Sequence, residues 1–254
     1  MTSTIVLQSH RSDRRDGWMA QCVASVRAWA QHHGFAYRWL DDALFDFVPH
    51  DLRLRYAEQP VVLSDLARLR WAQQVLHEGA DQVIWCDADL LIFRDFAPRD
   101  RESFGRECWV QHRNGRLRSY RKIHNAWLQC RRDSVVLPFY IDRAMALLAR
   151  AEAPVVPQFI GPKLLTAWHN IAPFGVEERV GMLSPLVLAE LLTTPGPAVS
   201  ALRAGHGDPL CALNLSASYE NRTTDGVCHG STDFDAVIQG FTEGDLAMHL
   251  QTES

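Results

Sequence analysis

The 254-residue sequence predicts an α/β protein with a mainly parallel sheet flanked by helices. Three observations support this class. In the first part of the chain, apolar runs of strand length alternate with stretches of helical periodicity, short connections separate them, and polar residues follow the predicted strands. Such alternation is typical of a parallel sheet covered on both faces. Ligands of these sheets bind at the carboxyl ends of the strands.

The first strand and helix occupy the N-terminal part of the chain. Residues 4–7 are mainly apolar and predict a strand that ends at the polar Gln8. A helix follows, because its apolar residues recur at helical spacing, and it is expected to end at Gly34. These apolar residues are Met19, Cys22, Val23, Val26 and Trp29. Residues 35–40 then predict the second strand.

The next elements lead to an acidic triplet. Ser64 is expected to cap a helix over residues 65–78, which ends at Gly79. Residues 82–86 are apolar except for Gln82 and predict a strand that runs directly into the triplet, and residues 90–93 continue the extended run.

The second half of the sequence is less regular. Residues 142–150 predict a short helix, and the five prolines between residues 154 and 185 divide the next segment into short pieces. Residues 205–230 are polar and contain several glycines, which predicts a loop. No repeat or low-complexity segment divides the chain, so a single domain over residues 1–254 is expected.

Composition limits the classes of ligand. The formal net charge is −4, from 26 Lys and Arg against 30 Asp and Glu. This balance gives no electrostatic reason to bind nucleic acid or an anionic membrane. A phosphate-bearing ligand would therefore need a local group of arginines or a metal ion. The hydrophobic content of 47% allows a large core.

Cysteine usage and the lack of long apolar runs bear on location. The six cysteines form no C-x-x-C pair, so we expect reduced, mostly buried thiols rather than a zinc site. No run is long enough for a signal peptide or a transmembrane segment. A cytoplasmic protein is expected, with peripheral contact to the inner membrane face left open.

The acidic triplet Asp87-Ala88-Asp89 is the strongest functional signal. Residues two apart on a strand point to the same side, so Asp87 and Asp89 can aim both carboxylates at one point. Adjacent carboxylates repel each other unless a cation or protons intervene. Mg²⁺ and Mn²⁺ prefer oxygen ligands and keep positions open for phosphate oxygens. This chemistry suits the loss of a diphosphate leaving group. The alternative is an ordinary polar strand end.

Several segments together resemble the D-x-D region shared by yeast outer-chain α-mannosyltransferases, bacterial capsular-polysaccharide transferases and clostridial glucosylating toxins. Residues 64–68, SDLAR, followed by a helix, a glycine and the strand into Asp87-Ala88-Asp89, resemble the family's S-D-x-x-R…D-x-D order. Residues 35–42 are similar to its second-strand segment, and residues 160–166 to its T-G-P-x-x-L element. The chain departs from the family in having one glycine, not two, at the end of the helix.

The resemblance implies a Rossmann-like GT-A fold and a metal-dependent glycosyltransferase. It implies that the donor is a UDP- or GDP-linked hexose and that the cofactor is Mn²⁺ or Mg²⁺. It also implies that the transferred sugar retains its anomeric configuration. The acceptor, whether a glycan, a lipid-linked sugar or a small molecule, stays open. Residues 1–100 would be the nucleotide-sugar-binding half, and residues 101–254 the acceptor-side half with a C-terminal loop.

The resemblance also assigns roles to four residues. Asp65 would bond sugar hydroxyls, and Arg68 would reach the sugar and the phosphate. Asp87 would contact ribose or metal-bound water, and Asp89 would be the direct metal ligand. The residue types allow this, because Asp65 and Arg68 share a helix face and Arg suits phosphate oxygens. An ordinary surface salt bridge between these two residues is the alternative.

Four further residues are candidates for donor binding. Gln8 lies at the end of the first strand, and Gly161 lies in the segment similar to T-G-P-x-x-L. The resemblance suggests that His124 and Asn125 line the sugar pocket. For Asn125, the cap of a following helix is an equal alternative.

A third metal ligand is expected in a late loop. Relatives often place there a His, or an Asn with a nearby Ser. Asn214 is the preferred candidate, with Ser216 as a second source of oxygen and His206 and His229 as rivals.

A group of basic residues surrounds Asn114-Gly115. A solvated loop is the expected structure, and a mobile loop that closes over an anionic acceptor is the alternative. The basic residues are Arg113, Arg116, Arg118, Arg121 and Lys122.

Two other functions compete with sugar transfer. Aspartate-nucleophile phosphatases also use D-x-D at a strand end, but their motif lies near the N-terminus and has Thr or Val two places after the second Asp. Here Leu91 stands at that place. A non-catalytic nucleotide-sugar-binding protein is the second alternative, against which the presence of Asp65, Arg68 and both triplet aspartates argues.

Overall fold

The computed structural model describes residues 3–11 and 17–251. The strands are β1 (Thr4–Ser9), β2 (Ala36–Leu40), β3 (Gln82–Cys86), β4 (Leu90–Ile92), β5 (Ser103–Arg113), β6 (Arg116–Arg131), β7 (Val176–Glu177), β8 (Val180–Met182) and β9 (Ala212–Asn214). The α-helices are α1 (Trp18–His32), α2 (His50–Arg55), α3 (Pro60–His77), α4 (Val136–Arg150), α5 (Pro162–Ile171), α6 (Pro185–Leu192), α7 (Pro197–Ala204), α8 (Ser231–Glu243) and α9 (Asp245–Met248). Short 3₁₀ helices cover Asp42–Phe47 and Ala217–Tyr219.

The central sheet has the strand order β2-β1-β3-β6-β5-β7. β1 pairs in parallel with β2 and β3, whereas β6 is antiparallel to both β3 and β5. β7 is parallel to β5, so β6 alone among these strands runs in the opposite direction. A smaller sheet has the order β4-β9-β8. The α/β class and the mainly parallel sheet predicted from the sequence are confirmed.

Helices cover both faces of the central sheet. Leu7 of β1 packs into the core that contains α3, and its neighbour Val6 packs into the core that contains Val26 and Trp29 of α1. Because successive strand residues point to opposite faces, a strand covered on both sides must be apolar throughout. This explains why residues 5–7 and 83–86 are continuous apolar runs. Among the described residues, no helix is long and apolar enough to cross a membrane.

Two predicted helix starts were wrong. α3 begins at Pro60 rather than near Asp65, so Ser64 lies inside the helix instead of capping it. Proline suits the first helical turn, where its missing N–H loses no hydrogen bond. α4 begins at Val136, several residues before the predicted start.

The predicted loop around Asn114-Gly115 is instead the turn of a long β-hairpin. β5 and β6 pair in register from Glu107↔Lys122 to Arg113↔Arg116. Asn114 and Gly115 have φ of 53° and 70°, which a two-residue hairpin turn of type I′ requires. The solvated-loop prediction was therefore wrong in structure, although its residues are exposed.

Residues 205–230 also contain more structure than predicted. β9 pairs with β4 in the register Leu90↔Asn214 and with β8 in the register Met182↔Asn214. This register fixes the position of Asn214 relative to the residues that precede β4. Five of the six cysteines are buried as expected, all six are free thiols, and Cys228 is exposed.

Candidate active site

Asp87 follows β3 at its carboxyl end and is fixed through its backbone. The backbone N–H of Asp87 donates to Ala126 O of β6 at 2.9 Å. The carbonyl of Asp87 accepts from Nε2 of the fully buried Gln8 at 3.1 Å, and Gln8 Oε1 in turn accepts from Tyr37 Oη at 2.9 Å. Gln8 therefore lies at the predicted edge of the sheet, and its side chain orients the acidic turn by binding the backbone carbonyl of Asp87.

Asp89 is held by the C-terminal part of the chain. Oδ1 of Asp89 accepts from Asn214 Nδ2 at 2.6 Å, and Oδ2 accepts from the backbone N–H of Ala217 at 2.9 Å. Leu215 N–H donates to the carbonyl of Asp89 at 2.9 Å. Burial, together with the charge of Asp87, raises the pKa of Asp89 to about 6. A carboxyl group in this state would be stabilised in its charged form by a nearby cation.

Arg68 forms a buried ion-pair group with Asp65 and Asp87. Arg68 Nη1 is 2.7 Å from Asp87 Oδ1, and Nη2 is 3.2 Å from Asp65 Oδ1. Nη1 also donates to the carbonyl of Asn125 at 3.1 Å, and Asn125 Nδ2 donates to Asp65 Oδ1 at 2.9 Å. The Arg68 and Asp65 side chains are 8% and 6% exposed, so this pair is not a surface salt bridge.

Burial dominates the protonation of Asp65. It raises the pKa of Asp65 to about 6, although the charge of Arg68 and the hydrogen bond from Asn125 act in the opposite direction. Removal of either partner would therefore raise the pKa of Asp65 further.

Gly161 closes the site on the side of α5. A Cβ atom at this position would lie 2.7 Å from Asp65 Oδ2 and 3.3 Å from the amide atoms of Asn125. The absence of a side chain at Gly161 therefore keeps space beside the two groups. Gly161 also precedes α5, which begins with a proline.

His124 lies deeper than its neighbour Asn125. Its ring is fully buried, and a Cβ at Gly105 of β5 would collide with it. Nδ1 accepts from the backbone N–H of Ala126 at 3.1 Å, and Nε2 is 3.3 Å from the carbonyl of Val180. Burial lowers the pKa of His124 to about 3, so the ring is neutral. These contacts favour a positioning role for His124.

The four candidates for a third metal ligand have different contacts. Asn214 presents its amide nitrogen to Asp89, because its Oδ1 accepts from Ser216 N–H at 2.8 Å. The Ser216 hydroxyl donates to Leu183 O at 2.8 Å. His206 Nδ1 is 2.7 Å from Glu178 O, and His229 Nε2 is 2.9 Å from Pro185 O. Asn214 is the only one of the four that contacts Asp89 among the described residues, and as a ligand it would have its amide turned over.

The donor set at this site fits a divalent ion that also takes ligands from a substrate. Within residues 3–11 and 17–251, no three His, Cys, Asp or Glu side chains are grouped to hold a metal ion. Asp87 and Asp89 would supply carboxylate oxygens, and both hydrogen bonds to the Asp87 carboxylate fall on Oδ1. Mg²⁺ is typically held by one or two carboxylates plus substrate phosphates.

Two contributors to the site were not predicted from the sequence. Trp85 donates from Nε1 to Asp87 Oδ1 at 2.6 Å, and the Arg68 guanidinium lies 5.2 Å from the centre of its ring. Trp85 precedes Asp87 by two residues, and strand periodicity places both on one side, so this contact could have been inferred. The backbone N–H of Ala217 has no sequence signal, because every non-proline residue carries one.

An open groove lies apart from these residues. It has a volume of about 520 Å³ between α4 and α5, and apolar residues line it except for Lys163. None of the predicted site residues lines this groove. We therefore place the candidate site at Asp87 and Asp89, where charged groups converge, and not in the groove.

Comparisons with known proteins give distant similarities only. No protein-family model matches the sequence, and no curated protein matches it. One similar solved structure is a glycosyltransferase involved in the glycosylation of the major capsid of PBCV-1, with 11% identity over 93% of this chain and 99% of the other, at a TM-score of 0.47. A second is the galactosyltransferase LgtC with donor and acceptor sugar analogues, with 14% identity over 99% and 97% of the two chains, at 0.45. An active-site mutant of LgtC matches with 12% identity over 93% and 95%, at 0.43. At these values the similarity carries no argument about activity.

Proposed function

We propose that this protein is a metal-dependent glycosyltransferase of GT-A type that moves a hexose from a UDP- or GDP-sugar to an acceptor with retention of configuration. One observation carries the proposal. Side chains from separate segments that resemble the D-x-D transferases meet at the carboxyl end of β3. These side chains are Asp65, Arg68, Asp87, Asp89 and Asn125, with Asn214 behind Asp89.

The residues divide into two groups by their contacts. Asp89 and Asp87 would hold Mn²⁺ or Mg²⁺, and Asn214 and Ala217 fix the orientation of Asp89. When bound, the metal would neutralise charge on the diphosphate leaving group. Arg68 lies between Asp65 and Asp87 and would bring a positive charge to the donor. Asp65 and Asn125 offer oxygen and amide groups that suit sugar hydroxyls.

Metal and nucleotide should bind together, because each completes the site for the other. Without a cation, the carboxylates of Asp87 and Asp89 repel the diphosphate. Binding couplings are typically about 5–150-fold, and a direct bridge should lie at the upper end. The test is a calorimetric titration of UDP and of GDP in Mn²⁺ and then in EDTA. Equal affinity in both buffers, for whichever nucleotide binds, would overturn the proposed metal site.

Two variants make this titration specific. Asp89→Ala should lose the effect of Mn²⁺ on nucleotide affinity. Asp142→Ala removes an exposed carboxylate on α4 and serves as the control for the change in charge. A metal effect that survives in Asp89→Ala would move the metal site away from this residue.

Catalysis and binding without turnover predict different results. Slow hydrolysis of one nucleotide sugar from a panel would favour a transferase over a non-catalytic nucleotide-sugar-binding protein. Retention rests on the family resemblance, and an NMR spectrum of the first-formed product would test it. A cytoplasmic location stays part of the proposal.

A further inference from the structure

The tip of the β5–β6 hairpin carries an unusual concentration of positive charge. Residues 106–122 contain six cationic residues and one acidic residue, in a chain whose formal net charge is −4. The residues at and next to the turn are exposed. The positive charge is therefore local and is available to a ligand.

Cationic residues near the base of the hairpin pair with carboxylates, whereas those near the tip have no such partner within residues 3–11 and 17–251. The pairs at the base are Lys122–Glu107 at 2.9 Å, Arg106–Glu178 at 2.8 Å and Arg121–Glu178 at 3.4 Å. In the described part of the chain, Arg113, Arg116 and Arg118 have no carboxylate partner. Arg113 contacts the Tyr120 hydroxyl at 3.4 Å. Arg113 and Arg116 are direct cross-strand partners, and like charges in this arrangement destabilise a hairpin.

The three unpaired arginines share one face of the hairpin, here called the arginine face (Arg113, Arg116 and Arg118). Directly paired residues point to the same side of a hairpin, and so does every second pair along it. One face therefore carries Arg113↔Arg116, Gln111↔Arg118 and Trp109↔Tyr120. The face therefore continues from the tip towards Trp109.

Trp109 connects this face to the candidate active site. Its ring centre is 5.1 Å from that of Tyr219, the last residue of the 3₁₀ helix Ala217–Tyr219. The first residue of that helix donates its N–H to Asp89. Arg113 lies four residues beyond Trp109 on β5, or roughly 13 Å along a strand. The arginine face thus lies on the same side as the loop behind Asp89, at a distance that an extended substrate can span.

We propose that the arginine face binds the phosphate group of an anionic acceptor whose sugar end reaches Asp87 and Asp89. This inference rests on the proposed transferase function. Planar guanidinium groups bind phosphate oxygens with two hydrogen bonds each, and a bound phosphate would offset the repulsion between Arg113 and Arg116. Tyr120 on the same face adds an aromatic surface next to the anion.

The test uses inorganic pyrophosphate as the probe, in EDTA and at low salt. Without a divalent metal, the carboxylates of Asp87 and Asp89 repel this probe, so the titration reports on other sites. A variant that carries Arg113→Gln, Arg116→Gln and Arg118→Gln should bind pyrophosphate roughly tenfold more weakly. Affinity of the unmodified protein should fall as NaCl is added.

The matched control removes the same number of charges elsewhere. It carries Arg→Gln at three exposed positions on α2, before β5 and at the end of α4, which are Arg53, Arg101 and Arg150. Its pyrophosphate affinity should stay within about twofold of the unmodified protein. Equal weakening in both triple variants would overturn the proposal. Arg116→Gln alone provides a second variant with a smaller loss, in case the triple variant does not fold.

A second arm distinguishes an acceptor phosphate from a membrane surface. The proteins are sedimented with vesicles of phosphatidylcholine that contain phosphatidylglycerol. Loss of vesicle binding in the hairpin variant with unchanged pyrophosphate affinity would overturn the proposal in favour of membrane contact. Loss of pyrophosphate affinity alone would support it. The UDP titration with Mn²⁺ is done on the unmodified protein, so its failure would be recognised separately.

Discussion

Replacement of Arg68 by Met should destabilise the protein in a pH-dependent way. Methionine keeps most of the length of the side chain and removes its charge. Asp65 would then be a buried carboxyl group without a cationic partner, and Asp87 would lose its 2.7 Å contact. Breaking a buried pair by the removal of one partner typically costs about 3–5 kcal/mol.

The size of the effect should follow the protonation of Asp65. Its pKa in the folded protein is about 6, against 3.8 as the usual value. Burial raises this pKa and Arg68 lowers it, so the pKa in the variant lies above 6. Below pH 6, Asp65 is protonated in both folded proteins and contributes no difference. Above pH 6, the variant must keep the proton or bury an unpaired charge, so its disadvantage grows as the pH rises.

The expected loss in the free energy of unfolding differs between pH 8 and pH 5. Asp87 is 23% exposed and keeps contact with water, which places the cost at the low end of the range. We expect a loss of about 3 kcal/mol in the free energy of unfolding at pH 8 and about 1–2 kcal/mol at pH 5. Urea denaturation in EDTA, followed by tryptophan fluorescence, measures both values.

Arg38→Met is the matched control. Arg38 pairs with Glu78 at 2.6 Å, but the two side chains are 44% and 42% exposed. Exposed pairs contribute about 0–1 kcal/mol, so this variant should be mild at both pH values. An Arg68→Met variant that is as mild as the control at pH 8, or that costs the same at pH 5 and pH 8, would contradict the role given to Asp65.

Three further predictions concern single positions. Between about pH 4 and pH 6, the unmodified protein should lose stability relative to Asp89→Ala as the pH rises, because folded Asp89, with a pKa of about 6, holds a proton that the unfolded chain has released. Urea denaturation of both proteins in EDTA over this pH range measures the difference in the free energy of unfolding, and a constant difference would contradict the prediction. Gly161→Ala should weaken UDP-sugar binding and lower the free energy of unfolding by about 1–3 kcal/mol, since its Cβ would lie 2.7 Å from Asp65 Oδ2. Gly207→Ala, whose Cβ would have its nearest atom at 3.5 Å, should change neither quantity in the same calorimetric and melting assays. Gly115→Ala should cost about 1 kcal/mol because φ is 70°, and an unchanged melting temperature would argue against the hairpin turn.

The parts of the site that the sequence predicted are those encoded by short segments. The apolar run over residues 83–86 required a strand, whereas Asp87 and Asp89 lie in the turn after it, where the strand period used to predict their direction does not apply. The three-residue spacing of Asp65 and Arg68 required a shared helix face. Which residues would surround these groups depended on pairs far apart in the chain, such as Asn125 with Asp65, and no local pattern specifies such pairs.

The hairpin shows why a local signal was misinterpreted. Asn114-Gly115 is a strong hairpin turn signal, but the charged residues on both sides suggested a loop. In the structure the tip lies in solvent, so the alternation of apolar and polar residues that marks a half-buried strand is lost there. Nearer the sheet, residues 107–110 are all buried, so no alternation of apolar and polar residues marks the strand there either.

The contact between Asp89 and Asn214 affects how the protein matures during synthesis. The two residues are 125 positions apart, and β9 must pair with β4 before they meet. A ribosome makes the chain in order, so the acidic turn emerges long before the segment that orients it. β6, which lies between β3 and β5 in the sheet, is also made after both of these strands. A chain that stops before β9 would carry both aspartates without Asn214 and Ala217. Metal-dependent nucleotide binding would therefore report that translation and folding have reached the C-terminal part of the protein.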